Sequence, residues 1–253
     1  MTDIFSEINW THLDATDSTN AWLRRQPEEG KPHLVWADFQ TMGRGQQGNH
    51  WESEAGRNLL FSLSLPWPQV AASNQFLLSQ WVSVGLYEVL QATMGVHVSV
   101  KWPNDLYWQE RKLGGMLIEN QIRGGQIVRS IIGIGLNVNQ SQFPADIPNP
   151  VSLCHILGHE TDCLKLLQAI ACRLWERWTE GLEVQAESLR QDYQRLLFRR
   201  DGMYRYMDAH GAFHAAIEGI GSDGRLHLRD EHGQERVYAF KEVKYILENR
   251  VCE

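Results

Sequence analysis

Residues 100–120 read VKWPNDLYWQERKLGGMLIEN: a lysine closing an alternating run, then a second lysine beside two glycines. In Val96-His97-Val98-Ser99-Val100 the valines fall on one face of a strand, while His97, Ser99 and Lys101 share the other. Pro103 stops that strand. Pro103-Asn104-Asp105 is a turn, because proline presets its own dihedral and Asn or Asp bonds back onto nearby backbone. Lys101 therefore sits at the rim of a rigid element, either as a solvated charge or as part of a site for a negatively charged small molecule. A second strand is expected over residues 106–108 and a third over 112–122, joined through Gln109-Glu110-Arg111. Gly114 and Gly115 lie inside that third strand, which marks a bulge or a close approach to the backbone.

Upstream, Asp17-Ser18-Thr19-Asn20 precedes Ala21-Trp22-Leu23-Arg24-Arg25, and Ser18 or Asp17 suits the N-cap of a short helix. Such a helix start also offers directed hydrogen bonds to a polar ligand. Residues 34–39 form a strand that delivers Gln40-Thr41-Met42-Gly43-Arg44-Gly45-Gln46-Gln47-Gly48-Asn49-His50-Trp51. The spacing Gly43-x-Gly45-x-x-Gly48 matches the dinucleotide fingerprint, but that fingerprint must open a helix. Here a loop and an apolar strand at 58–65 follow, so a Rossmann site is rejected. The glycine-rich segment is either a plain connector or a mobile loop that folds over an anion with Arg44. Residues 73–90 have Leu77, Trp81 and Val84 at helical spacing and form a buried helix.

Downstream, a fourth strand covers 128–134 and runs into Gly135-Leu136-Asn137-Val138-Asn139, a turn or an approach of backbone and amide to a base or sugar. Residues 161–178 are helical, with Leu164, Leu167, Ala171, Leu174 and Trp178 as a core stripe. Beyond Phe198 come short alternating runs at 203–206, 212–217, 225–228, 237–240 and 243–247, separated by turn signals, which predict a small five-stranded barrel.

The net charge of −7 over 253 residues argues against a nucleic-acid surface as the main function. Hydrophobic residues make up 43% of the chain, which excludes intrinsic disorder. Cysteines 154, 163, 172 and 252 form no CxxC pair. Nine residues at about 100° each put Cys163 and Cys172 on opposite faces of one helix, so the thiols read as structural or free, in a reducing compartment. The start Met1-Thr2-Asp3 has no signal-peptide pattern, and no apolar run reaches membrane-spanning length, so a cytoplasmic protein is expected. The ten histidines show no zinc-ligand spacing.

With these motifs in order, the chain resembles the biotin protein ligases. The resemblance rests on Asp17-Ser18-Thr19-Asn20, the loop from Gln40 to Trp51, Lys101-Trp102-Pro103-Asn104-Asp105, Arg111-Lys112-Leu113-Gly114-Gly115 through Glu119, and Gly133-Ile134-Gly135-Leu136-Asn137. It implies an α+β fold: a mixed/antiparallel sheet with packed helices, of class II synthetase-like type, over residues 1–198, followed by an SH3-like β-barrel over 199–253. It implies a two-step ligation in which biotin's carboxylate attacks the α-phosphate of ATP and biotinyl-AMP then acylates a lysine of a biotin carboxyl carrier protein domain of a carboxylase.

By the same resemblance Lys101 and Arg44 are the catalytic cations. Ser18, Thr19, Asn20, Gln40, Gly43, Arg44, Gly45, Gln46, Lys101, Gly114 and Gly115 would surround biotin. Arg44, Trp51, Asn104, Lys112 and Asn137 would take the adenylate. Mg2+ would be held by phosphate oxygens and water, with no ligand set legible. Many relatives carry a basic loop GRGRRGRKW, whereas Gln46, Gln47, Asn49 and His50 stand here, which implies weaker retention of the adenylate. Catalytic motifs that begin by Asp14 imply the monofunctional type, without the N-terminal DNA-binding domain, hence a ligase with no DNA partner and no membrane partner. An open sheet edge would admit a second copy, as a homodimer, or the carrier. The alternatives are a lipoate or octanoate ligase or transferase of the same fold, and a non-enzymatic module that binds biotin adenylate.

Overall fold

The computed structural model describes residues 4–27 and 30–247, so Met1-Thr2-Asp3 and Cys252 lie outside the described residues. After a short helix α1 (Ile4–Glu7), strand β1 (Asn9–Thr16) leads into helix α2 (Thr19–Arg25) and strand β2 (His33–Gln40). Strand β3 (Leu59–Ala71) and the long helix α3 (Gln75–Met94) follow, then β4 (Ser99–Lys101), β5 (Asp105–Trp108), β6 (Arg111–Arg123) and β7 (Gln126–Leu136). Helices α4 (Leu153–Leu157), α5 (Cys163–Glu180) and α6 (Ala186–Leu196) precede β8 (Tyr204–Asp208), β9 (Gly211–Ile220), β10 (Leu226–Asp230), β11 (Glu235–Tyr238) and β12 (Lys244–Tyr245).

The first seven strands form one sheet in the order β1-β2-β3-β7-β6-β5-β4. Strands β1 and β2 run parallel and the other neighbours antiparallel, so the sheet is mixed. Side chains alternate between its two faces. Leu34, Leu63 and Ile132 enter the main core with Leu78, Trp81 and Leu90 of α3 and with Leu167, Leu174 and Tyr193 of α5 and α6. Their neighbours Val35 and Ile131 join a smaller cluster with Leu23 of α2 on the opposite face. That second face is where the site lies.

The second sheet has the order β11-β10-β9-β8-β12 and is antiparallel throughout. The main core continues into it without interruption through Leu197, Tyr206, Phe213 and Leu226. It is also stitched to the Lys101 hairpin, because the Trp102 indole donates to the Gly224 carbonyl at 2.9 Å, and the chain entering the sheet is held beside that hairpin where Phe198 N–H donates to the Val100 carbonyl at 2.9 Å. No helix among the described residues is long and apolar enough to cross a membrane.

Strand β1 was not foreseen, because an edge strand with no continuous apolar face carries little alternation. Helix α6 was also missed: AESLRQDYQRL buries only Ala186, Leu189 and Tyr193. Of the expected 96–100 strand only Ser99 and Val100 join the ladder, together with Lys101, although Val96, Val98 and Val100 are all buried as the alternation requires.

Candidate active site

A cavity of about 590 Å³ opens on the α2 face of the first sheet. Its floor exists because the central strands carry small residues there. Ser62 of β3 stands opposite Gly133 of β7, which stands opposite Leu117 of β6. In the next row Leu60, Gly135, Gly115 and Asp105 follow one another across four strands. Missing side chains leave room for others to lie flat on the sheet. A Cβ on Gly133 would come 2.2 Å from Asn20 Oδ1, and one on Gly135 would come 2.6 Å from the Trp51 ring. Pleat parity also separates the two predicted glycines: Gly115 lines the cavity, whereas Gly114 faces Leu136 on the other side and does not.

At one end, α2 presents Ser18, Thr19 and Asn20, each 3% exposed. Ser18 occupies the N-cap position in extended conformation, but its side chain makes no capping bond. The free helix start is served from the neighbouring strand instead, with Thr19 N–H donating to Gln40 Oε1 at 2.7 Å and the Thr19 hydroxyl to the same oxygen at 3.1 Å. Asp17 accepts Ser18 N–H at 2.8 Å, and the Arg25 guanidinium paired with it holds its carboxyl well below the usual carboxylate range. Asn20 is bonded on both sides of its amide: Nδ2 donates to the Leu117 carbonyl at 3.3 Å and to Glu119 at 2.9 Å. The Ser62 hydroxyl lies 2.6 Å from Asn20 Oδ1 and 2.7 Å from Thr19 Oγ1, and its single proton serves the amide oxygen, which can only accept.

At the other end stand the cations. Lys101, in register with Asp105, has its ammonium 5.2 Å from the Tyr107 ring centroid and 5.3 Å from that of Tyr245. Burial pulls its pKa below the ordinary lysine value, Asp105 opposes the shift, and Lys112 and Arg199 add to it. Lys112 bonds Asp105 at 2.7 Å and lies 5.7 Å from the Trp51 ring. Asp105 is the single carboxylate among the lining residues.

The glycine-rich loop is folded rather than open. Gly45 N–H donates to the Asn49 carbonyl at 2.7 Å, and Trp51 N–H donates to the Gly43 carbonyl at 3.0 Å. A Cβ on Gly43 would meet the Trp51 carbonyl at 2.3 Å, so Gly43 is buried support for the loop and not part of the lining. Arg44 is exposed and lines the cavity, together with Gly45, Gln46, Asn49, His50 and Trp51. It forms no ion pair among the described residues.

Of the residues expected at the site, Ser18, Thr19, Asn20, Gln40, Arg44, Gly45, Gln46, Trp51, Lys101, Asn104, Lys112 and Gly115 line this one cavity. Gly43, Gly114 and Asn137 do not. Asn137 is buried, with Nδ2 donating to the Val151 carbonyl at 3.0 Å, and holds the segment before α4 in place. The Asn104 side chain ties the turn to β6 by donating to the Met116 carbonyl at 2.5 Å. Ser62, Tyr107 and the wall formed by Phe240, Val243, Lys244 and Tyr245 were not foreseen. The alternation of Ser62 and Ser64 within Leu-Phe-Ser-Leu-Ser-Leu marked a polar face on an otherwise apolar strand, whereas the wall had no local signal.

A sequence model of the Biotin/lipoate A/B protein ligase family matches residues 12–137. The chain is 27% identical over 242 residues to the bifunctional ligase/repressor BirA of Bacillus spizizenii, covering 92% of this chain and 74% of that protein. It is 30% identical over 236 residues to the biotin--[acetyl-CoA-carboxylase] ligase of Paracoccus denitrificans, covering 90% of this chain and 97% of that one. In structure it is similar to the biotin protein ligase from Aquifex aeolicus in complex with biotin and ATP, at a TM-score of 0.78 and 25% identity over 95% of this chain and 99% of that one. Similarity that runs along nearly the whole chain places it in the biotin protein ligase family.

Proposed function

We propose that the chain activates biotin with ATP as biotinyl-AMP and transfers the biotinyl group to a lysine of a biotin carboxyl carrier protein domain. One observation carries this reading. A single cavity joins a polar, largely buried cluster around Thr19, Asn20 and Gln40 to a cationic end at Lys101, with the Arg44 loop beside both. In the first step a carboxylate oxygen of biotin forms a bond to the α-phosphorus, and the bond to the pyrophosphate oxygen breaks. Two anions must approach each other for this, and the Lys101 ammonium, fixed between two aromatic rings, offsets their repulsion without reorganising. Arg44 is the second cation, carried by the loop. In the second step a neutral lysine amine of the carrier attacks the acyl carbon, AMP leaves, and the amine proton is released.

In this reading Ser18, Thr19, Asn20, Gln40, Gln46 and Gly115 hold the biotin end, and Trp51, Asn104 and Lys112 the nucleotide end. Residues 1–198 form the catalytic domain and 199–253 an SH3-like domain. Magnesium enters as part of the MgATP substrate, because the one lining carboxylate, Asp105, is already bonded to Lys112. No DNA-bound step is assigned, in keeping with the net charge of −7. Three described cysteines are free thiols, which suits a cytoplasmic setting. None of them lines the cavity, and burial pushes the Cys163 and Cys172 thiols up, so a cysteine-based lipoyl or octanoyl transfer has no nucleophile there.

The test is incubation with biotin, MgATP and a carrier domain, followed by intact-mass analysis of the carrier. One biotinyl group per carrier domain is the expected result. Modification by octanoate or lipoate in preference to biotin, or adenylate formation with no transfer, would overturn the reading.

A further inference from the structure

At the free β1 edge of the first sheet, three side chains with metal-ligating atoms converge. His12 and Asp14 are two residues apart on β1 and therefore share one side of the strand. Leu13 is in register with Ala37 of β2 and Ala15 with Phe39, so Asp14 lies beside Asp38. His12 Nε2 stands 3.0 Å from Asp38 Oδ1, and one donor atom from each of the three residues lies within 4.8 Å of the other two. The His12 ring stacks on Trp36, with centroids 4.9 Å apart and planes 23° apart, and Trp36 packs against the main core. The three residues thus sit on the helix face of the sheet, and none of them lines the active-site cavity.

Two features point to a bound cation. Asp14 and Asp38 are like charges side by side on neighbouring strands, which repel each other, and neither is paired with a lysine or arginine among the described residues. The donors are also spaced as a metal requires. Atoms that each lie about 2.0–2.2 Å from one ion stand roughly 2.8–3.6 Å from one another, which the His12–Asp38 pair already meets and Asp14 reaches by a small side-chain rotation. All three are mounted on strands rather than on a loop, and the stack on Trp36 fixes the imidazole. The His12 and Asp38 side chains are 42% and 49% exposed, so water can complete the coordination shell. One imidazole nitrogen with two carboxylates suits zinc or another late first-row divalent ion, whereas magnesium takes oxygen ligands alone.

We propose that His12, Asp14 and Asp38 form a binding site for a divalent transition ion of the zinc type, which clamps the edge strand β1 to β2. Histidine spacing gives no sign of it, because one ligand comes from the neighbouring strand. The site is separate from the cavity and does not depend on the ligase reading.

The experiment compares full-length wild type, Asp14→Asn and His12→Gln, both substitutions at exposed positions. Calorimetric titration with zinc chloride alone, in a buffer that does not chelate, should show a site in wild type that excess magnesium does not displace. Each variant should bind there at least tenfold more weakly, since loss of a mere outer-shell partner already costs that much. Zinc should raise the melting temperature of wild type and leave that of the variants where it is. X-ray absorption of zinc-loaded wild type should show nitrogen and oxygen neighbours at about 2.0–2.2 Å and no sulfur. If Asp14→Asn fails to fold, His12→Gln and the absorption spectrum decide. Absence of zinc binding by wild type, affinities in both variants within threefold of wild type, or a sulfur neighbour at about 2.3 Å, which would put the ion on a cysteine, would each overturn the assignment.

Discussion

The two ends of the cavity are built on different principles. Around Thr19, Asn20 and Gln40 almost every polar atom already has a protein partner, the side chains are buried, and the parts come from α2 and the strands next to it. Around Lys101 the decisive groups are charges and rings brought from β4, β5, β6, the glycine-rich loop and β12. A saturated hydrogen-bond network presents a fixed shape and can discriminate a neutral ring system, because a mismatched ligand leaves buried groups unpaired. A cluster of cations tolerates variation in position but multiplies its effect when water is excluded. Under the proposed function, recognition would fall to the short-range polar lattice and chemistry to the long-range electrostatic one.

The largest effect should come from breaking the electrostatic end. Lys101→Ala removes the ammonium held between Tyr107 and Tyr245, and biotinyl-AMP formation should fall by roughly a hundredfold to a thousandfold, the range for losing one preorganised donor. Thermal stability should hold or rise slightly, because the removed charge is partly desolvated. Single-turnover adenylation with a parallel melting curve checks both. Near-normal turnover would mean that the cationic end does not act as described.

A smaller effect tests the polar end. Ser62 is fully buried and orients Asn20 without itself lining the cavity. In Ser62→Ala the Asn20 amide oxygen loses its donor, a cost of about 1–2 kcal/mol, which corresponds to roughly a fivefold to thirtyfold weaker grip on biotin. The KM for MgATP should stay where it is. Isothermal titration with biotin alone gives the first quantity and pyrophosphate release the second. Equal losses in both would show that the two ends are not separable.

The unequal legibility of the two ends has the same origin. The polar end is local: Ser18, Thr19 and Asn20 are consecutive, and the alternation of β2 delivers Gln40, so the sequence announces them. Lys101 was legible because Val96, Val98 and Val100 point into the core and Pro103 ends the strand. What stayed hidden depended on partners distant in sequence. Gln40, rather than Ser18, serves the start of α2, twenty-one residues away. The wall at Lys244 and Tyr245 reaches the site through the shared core and the Trp102–Gly224 hydrogen bond, contacts between residues far apart in the chain. Gly114 is a different kind of miss, since its Cα is turned against the Gly135 carbonyl and the Leu136 side chain, a packing that two adjacent glycines in a sequence do not reveal.

The smallest effect concerns the loop that spans both ends. Its backbone is already closed on itself by the Gly45–Asn49 and Gly43–Trp51 hydrogen bonds, so differences in how firmly it holds an anion should come from its side chains rather than from its fold. Gln46 lines the cavity two residues beyond Arg44, and Gln46→Arg would add one cation facing the adenylate. A partly exposed charge contributes about 0.2–1 kcal/mol, so spontaneous release of biotinyl-AMP should slow by up to about fivefold, with the gain shrinking as salt is raised. A chase of labelled adenylate at low and high ionic strength measures it. A release rate equal to wild type at low salt would show that loop charge does not govern retention, and would shift that task to the hydrogen-bonded end, where the Ser62→Ala variant should then release its adenylate faster.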